Sequence, residues 1–499
     1  MFCLGWFGGV FSQRKHGSAW RASFIGNIFK KIYPDTEKSN HHKVESAVNW
    51  VDKANRRRFL GGGMVLGASL SAGSTASAAM PKNDQYGMSS WISSADLGVP
   101  RNSMRDVSVQ LQRAITVLER AGGGVLELQP GVYRCHGIEI NGSVSIIGMG
   151  QVILIQNGNL PVFIVHGEGS VRLENLVVRG ESANTSGDYD RALIELRDGG
   201  EHARRVLDGV RISDSPAHGV GIFDSPAVLL DCEISTCAFY GVLIDSQEMV
   251  TVERSTIMDI GNNGIRVERA EKEWCQVRIA GNKISRIRAD WGGEGPNGNG
   301  VSVWRAHGVM VEGNRIEQCR FSAMRTAEGD ACHMINNQCT DLGETAIYME
   351  FGASGAIVQG NRIERTGYQG IALTNWNFGG RHGICSGNFL KDIGTVAITV
   401  EAQSIVQANI IEGADRGIIV GTGPYQDDVL IVGNMILDTN DRKRLENGIL
   451  VSSDIGAGAA QVSNNHIKGA RSEPVYGHDR WTPVKLKENI SVSNNSAAD

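Results

Sequence analysis

The sequence predicts an all-β fold, a right-handed parallel β-helix closed at its N-terminal end by a capping helix. Three observations carry that expectation. Gly-Asn-x-Ile recurs at Gly281-Asn282-Lys283-Ile284, Gly313-Asn314-Arg315-Ile316, Gly360-Asn361-Arg362-Ile363 and Gly433-Asn434-Met435-Ile436, with looser copies at Asn337, Asn388, Asn409 and Asn465. A small residue followed by an apolar one returns nine positions later, as at Ala346-Ile347, Gly370-Ile371 and Ala397-Ile398. Composition agrees: Gly is abundant (63) and Pro scarce (11), and aromatics are only 6%, as repeated short strands and tight turns require rather than several packed globular domains.

The spacing places coil starts at Gly209, Cys232, Ser255, Asn282, Asn314, Asn337, Asn361, Asn388, Asn409, Asn434 and Asn465, about a dozen coils of roughly 23 residues in all. Coils stack at about 4.8 Å in parallel sheets, so segments distant in sequence become lateral neighbours. The recurring Asn can hydrogen-bond from coil to coil as a ladder, and Gly supplies corner conformations. Ahead of the coils, Asp106 to Arg120 carries Val107, Leu111, Ala114, Ile115 and Leu118 at helical spacing. Gly122-Gly123-Gly124 and the strand beginning Val125-Leu126 follow. A helix there would cover the open end of the first coil.

The net charge of -5 conceals an asymmetry. Residues 1–79 hold 11 of the 49 Lys+Arg and 4 of the 54 Asp+Glu, so the remainder carries 38 against 50. An acidic body argues against nucleic acid as a partner. The cysteines Cys3, Cys135, Cys232, Cys237, Cys275, Cys319, Cys332, Cys339 and Cys385 fit neither a zinc pattern nor a dense disulfide framework. Most read as small buried residues.

Residues 55–79 (NRRRFLGGGMVLGASLSAGSTASAA) have the form of an export signal. Arg56 and Arg57, one intervening residue, then Phe59 and Leu60 resemble a twin-arginine translocation signal, and Ala76-Ser77-Ala78 forms a small-residue cleavage site. The apolar stretch is too short and Gly-rich to span a membrane. The expected organisation is a disordered or misassigned extension (1–54), the signal (55–79) and one β-helix domain (80–499). That domain has a cap over about 95–150, coils over about 150–470 and a C-terminal cap over about 471–499. The expected location is the periplasm or the exterior, reached by folded export.

The twin-arginine signal, the helix–triple-Gly–strand cap and coils reading NGNGVSVWRAHGVMVEGNRI, DLGETAIYMEFG and GIALTNWNFGGR together resemble the twin-arginine-translocated repeat proteins, a group with the pectate-lyase-like β-helix. The resemblance covers about residues 55–495. It implies the fold and export but no catalytic residues. The wider superfamily includes polysaccharide lyases, hydrolases and epimerases as well as non-catalytic adhesins and structural proteins.

Strand alternation selects the candidate site. With Ile347 and Met349 inward, Tyr348 and Glu350 face outward. The same phase exposes Arg266, Glu268, Ser302, Trp304, Arg325, Thr374, Thr399 and Glu401. Trp304 and Tyr348 suit stacking on sugar rings, and Arg325 suits a uronate carboxylate. Glu350 and Glu401, two coils apart, would stand roughly 9–10 Å from each other, near the upper end for inverting hydrolysis. Glu350, Arg325, Tyr348 and Glu401 are therefore the candidate catalytic residues. Trp304, Arg305, Asn375, Asn377, Arg381, His382 and Tyr425 are the candidate substrate-binding residues, with residues 288–299 walling the groove. Replacing Glu350 or Arg325 is expected to leave the fold intact. His307 and His382 read as loop histidines able to serve as acid or base, and GHDRW (477–481) as part of the C-terminal cap.

No cofactor is expected. Calcium needs several converging oxygens, and adjacent outward positions supply no acidic cluster. The expected partners are a polysaccharide and the twin-arginine export machinery, with no nucleic acid and no membrane span. Two functions remain open. One is an enzyme (lyase, hydrolase or epimerase) acting on an envelope or extracellular polysaccharide, and the other a non-catalytic polysaccharide-binding or envelope-structural protein. An adhesin for protein partners is disfavoured because no long apolar stripe is evident.

Overall fold

The computed structural model describes residues 90–181, 191–292, 295–373, 379–421, 425–438, 443–454, 456–480 and 482–498. The chain divides into units Met1–Gly87 and Met88–Asp499, and every described residue lies in the second. The export signal (Arg56, Arg57, Phe59, Leu60), residues 1–54 and Cys3 fall outside the described residues.

Three sheets form this unit, one of 16 strands and two of 15, and within each the neighbour of a strand is the third strand along the chain. Each coil therefore visits the first, third and second sheets in turn, the second being the one that holds Met324–Ala327 and Ile347–Glu350. About fifteen coils result, rather than a dozen. The extra ones lie at the ends, where the Asn signal is absent or comes late. The first sheet begins at the strand Ser90–Ser93, parallel to Gly124–Leu128. The sequence does not announce that strand, because Trp91 faces solvent instead of a core.

The helix spans Ser108–Arg120 and buries Leu111, Ala114, Ile115 and Leu118. Its predicted first residue, Asp106, sits outside it and accepts a hydrogen bond from the Ser108 N–H at 2.8 Å, in the manner of an N-terminal cap. At the other end the stack continues through the predicted cap. Val475–Asp479 pairs in parallel with Asn447–Ser452, and Ile490–Ser493 with Ala460–Ser463. Only the Thr482–Val484 strand turns antiparallel.

The Asn ladder forms as expected. The side chain of Asn282 donates to Asn314, that of Asn314 to Asn337, and so on through Asn361, Asn388, Asn409, Asn434 and Asn465 to Asn495, each bond 2.9–3.1 Å. Each Oδ1 also accepts a backbone N–H of the preceding coil, as Asn361 does from Asn337 at 3.0 Å. Each Nδ2 also reaches a backbone carbonyl, Met334 in the case of Asn361. Pairing of Arg211 with Glu233 corrects the earliest expected position. The ladder column continues upward through Ser255, Cys232 and Val210. Gly209 lies one residue earlier, in a left-handed corner column with Asp231, Arg254 and Gly281.

A second corner uses glycine for a different reason. A Cβ on Gly343 would fall inside the carbonyl oxygen of Arg320, and Gly367 and Gly394 meet the preceding coil's Gly343 and Gly367 carbonyls in the same way. Gly343→Ala is expected to lower unfolding free energy by about 2–3 kcal/mol through that clash. Gly313 has a positive φ of 62° with open space around it, so Gly313→Ala should cost nearer about 1 kcal/mol. Urea titration of the two variants measures the difference.

The core is one apolar column built from the inner faces of all three sheets. Cys135, Cys232, Cys237, Cys275, Cys319, Cys332, Cys339 and Cys385 are free thiols buried within it, as read from the sequence. Burial pushes the Cys232 and Cys275 thiols up to about 11.

Candidate functional site on the second sheet

Strand register fixes which side chains share the outer face of the second sheet. Ser302 pairs with Arg325, and Arg325 with Tyr348; Trp304 pairs with Ala327, and Ala327 with Glu350. Ile347 and Met349 are buried in the core, so the predicted phase holds. Two outward columns run side by side. One carries Ser302, Arg325 and Tyr348, and the other Trp304, Ala327 and Glu350.

Arg325 is the hub. Its Nε and Nη2 donate to Glu350 at 2.6 and 2.7 Å, and its Nη1 to Glu344 at 3.1 Å. The guanidinium carbon lies 4.8 Å from the centre of the Tyr348 ring, a cation–π distance. Only 13% of the Arg325 side chain and 7% of the Glu350 side chain are exposed. Burial alone would lower the Arg325 pKa, but the charges of Glu350 and Glu344 outweigh it and raise it. Burial first, and then the Glu350 charge, push the Tyr348 hydroxyl well above its usual range. A tyrosine base needs the opposite shift, and a carboxylate with both oxygens engaged is poorly placed to take a proton.

The inserted loop accounts for part of that burial. A Cβ on Gly295 would lie 2.6 Å from Nη2 of Arg325, so the glycine backbone rests against the guanidinium. Asn299 and Asn263 hold it there, donating to the carbonyls of Gly295 (2.7 Å) and Pro296 (2.8 Å). Gly295, held by these bonds, therefore lies on the ion pair instead of standing beside an open groove.

Further along the stack the outer face closes. Ile347, Ile371 and Ile398 are in register, which puts Glu350 and Glu401 at one strand position two coils apart, as expected. Glu401, however, is fully buried and accepts a hydrogen bond from the Gly380 N–H. Thr399 is likewise buried, and Val396, Ile419 and Leu450 form a small apolar cluster with Tyr476. The expected solvated carboxylate pair is thus corrected: burial removes both from the water that inverting hydrolysis needs between them. The partly open surface narrows to Trp304, Arg325, Ala327 and Tyr348.

The remaining candidates disperse. Arg305 sits beside Trp304, its guanidinium 5.0 Å from the indole centre, and donates to Glu328 at 3.2 Å and to the Ala270 carbonyl at 2.7 Å. Arg381 and His382 are exposed at the corner where the second sheet turns into the first, with His382 Nδ1 2.9 Å from the Ser354 hydroxyl. The Tyr425 ring packs on Gly379. Asn375, Asn377 and Thr374 lie outside the described residues. His307 is no loop residue. It ends the strand Asn299–His307, is buried, and accepts the Asp330 N–H at 2.8 Å. His478 of the GHDRW stretch is also buried in a strand, its Nε2 3.0 Å from the Val420 carbonyl. Sequence phase did not identify Glu344, which precedes its strand and so escapes any inward–outward alternation. Among the described residues no group of three or more His, Cys, Asp or Glu side chains could hold a metal ion. No helix of the described residues is long and apolar enough to cross a membrane.

Two overlapping stretches, residues 136–293 and 272–436, match the model of the right-handed beta helix region and together cover more than half of the chain. The chain belongs to that family. Among solved structures it is similar to the catalytic unit of the GH87 alpha-1,3-glucanase of Streptomyces thermodiastaticus strain HF3-3, at 16% identity over 80% of this chain and 72% of that one, with a TM-score of 0.48. It is similar to the mannuronan C-5 epimerase AlgE4 A-module of Azotobacter vinelandii at 14% identity, covering 81% of this chain and all of that one, with a TM-score of 0.46. Tailspike protein 3 of bacteriophage CBA120 gives 15% identity and a TM-score of 0.49, over 81% of this chain but only 61% of the tailspike. At these identities the likeness concerns the fold alone. Comparison with curated proteins finds no match.

Proposed function

We propose that this chain is an exported β-helix protein that binds a polysaccharide, without cleaving it, at the Trp304–Arg325–Tyr348 patch. The observation that carries this reading is the pairing of two partly exposed aromatic rings with a guanidinium on one rigid sheet face. Rings of that kind cover the C–H faces of sugars, and with Arg325 already paired to both Glu350 and Glu344 the patch selects for ring stacking rather than for an acidic polymer. Engagement of both Glu350 oxygens by Arg325 supports binding over turnover. The paired Arg56 and Arg57 with Phe59 and Leu60 support export through the twin-arginine route to the periplasm or beyond, and membership of the twin-arginine-translocated repeat proteins.

Affinity electrophoresis of the full chain through gels containing alginate, polygalacturonate or soluble starch tests the reading. Retardation by at least one polymer, weakened in Trp304→Ala, is expected. A wild-type chain that migrates unretarded in all three gels would sink it. Incubation with the same polymers should release neither reducing ends nor unsaturated uronates. Release that disappears in Glu344→Gln would install the enzymatic reading instead.

A further inference from the structure

The coil that runs from Ser255 to Asn282 is longer than the one before it, Cys232 to Ser255, and the extra length lies in a strand that ends on a tryptophan. Its second-sheet strand, Asn263–Trp274, runs for 12 residues and shifts register between Glu268 and Glu273 before pairing Trp274 with His307. Much in the structure holds this extension in place. Arg269, 11% exposed, bonds Asp245 at 2.6 Å and Glu273 at 2.9 Å, and lies 3.4 Å from Asp224. Arg305 donates to the Ala270 carbonyl. The result is an indole with 67% of its surface in solvent, a costly place for the largest apolar side chain.

Its seat is shaped for it. Gly308 has φ +77°, and a Cβ there would lie 2.9 Å from Cε3 and Cζ3 of Trp274. The indole therefore lies against bare backbone, with the His307 ring 5.9 Å away at a 49° tilt. Asp330, whose carbonyl accepts the Gly308 N–H at 3.0 Å, has a side chain 41% exposed; its Oδ1 accepts the Ser354 N–H at 2.9 Å, and its Oδ2 lies 3.6 Å from His307 Nδ1 with room for a further donor. An apolar ring backed on one side, next to a carboxylate acceptor, matches a pyranose: its C–H face on the indole and a hydroxyl donating to Asp330.

We propose that Trp274 is a second sugar-binding platform, taking a pyranose ring of the same polysaccharide at the corner where the second sheet turns into the first. The proposal rests on the polysaccharide reading above and extends it to a surface beyond the Trp304 patch. The test uses the same gels with the full chain carrying Trp274→Ala, Trp274→Phe or Asp330→Asn. Trp274→Ala is expected to weaken retardation about ten-fold in apparent affinity, Trp274→Phe to retain most of it, and Asp330→Asn to fall between. Melting temperature should be unchanged in Trp274→Ala, since the removed ring is mostly in water. Undiminished retardation of Trp274→Ala in a gel that retards wild type and releases Trp304→Ala overturns the second platform and leaves the first standing. Absence of wild-type retardation in every gel overturns both.

Discussion

Replacing Asn361 with alanine is expected to remove about 3–4 kcal/mol of stability. Four bonds vanish together. The Asn337 N–H and Nδ2 lose their acceptor, while Asn388 Oδ1 and the Met334 carbonyl lose a donor. The Asn337 N–H is left without its acceptor, which costs about 1–3 kcal/mol, while Asn337 Nδ2 keeps the Val311 carbonyl and Asn388 Oδ1 keeps the Asn361 N–H, so the other three bonds cost about 0.5–1.5 kcal/mol each, partly relieved by relaxation. Asn361→Asp should be worse still. It keeps both acceptors but adds a charge and turns a donor toward Asn388 Oδ1 and Met334 into repulsion. Urea denaturation gives the free energies. A loss below about 1 kcal/mol in Asn361→Ala would mean that the ladder merely accompanies the stack.

The second large effect falls on the ion pair. Glu350→Ala should cost about 3–4 kcal/mol, because a guanidinium mostly shielded from water loses its two-bond partner and keeps only the single bond to the more exposed Glu344. Glu344→Ala should cost less than about 1 kcal/mol, since its side chain is 28% exposed and Glu350 still holds Arg325. The double variant Arg325→Met with Glu350→Leu should recover most of the loss, as apolar replacements of buried pairs commonly do. Equal costs for Glu350→Ala and Glu344→Ala would refute the hub geometry. This expectation reverses the one drawn from the sequence, which treated Glu350 and Arg325 as replaceable surface groups.

The reversal shows where the sequence is legible and where it stops. Local period sufficed for the ladder from Asn282 to Asn465, because one residue type marks the same corner in every coil. It sufficed for the outward phase of Arg325, Tyr348 and Glu350, because strand alternation is a local property. It erred at Gly209, where Val210 occupies the ladder column and no polar side chain betrays it. It could not foresee that Gly295 lies over Arg325 or that Gly380 meets Glu401, because an insertion's path depends on contacts between coils. His307 failed for a related reason: the strand Asn299–His307 is lengthened to match the extension ending at Trp274. Outwardness was predictable; accessibility was not.

The ladder has a consequence for how such a chain can change in size. Each Asn faces its predecessor with acceptors and its successor with donors, so every rung presents the same two interfaces. Excision of residues 337–360 would bring Asn361 directly under Asn314, donor to acceptor, with no ladder group left dangling, although the cut also removes the Glu344 and Glu350 partners of Arg325. Removal of half that segment would set a corner against a strand and flip side chains between core and solvent. Length is thereby quantised: the molecule can gain or shed whole turns, and any recognition surface on it lengthens in the same discrete steps.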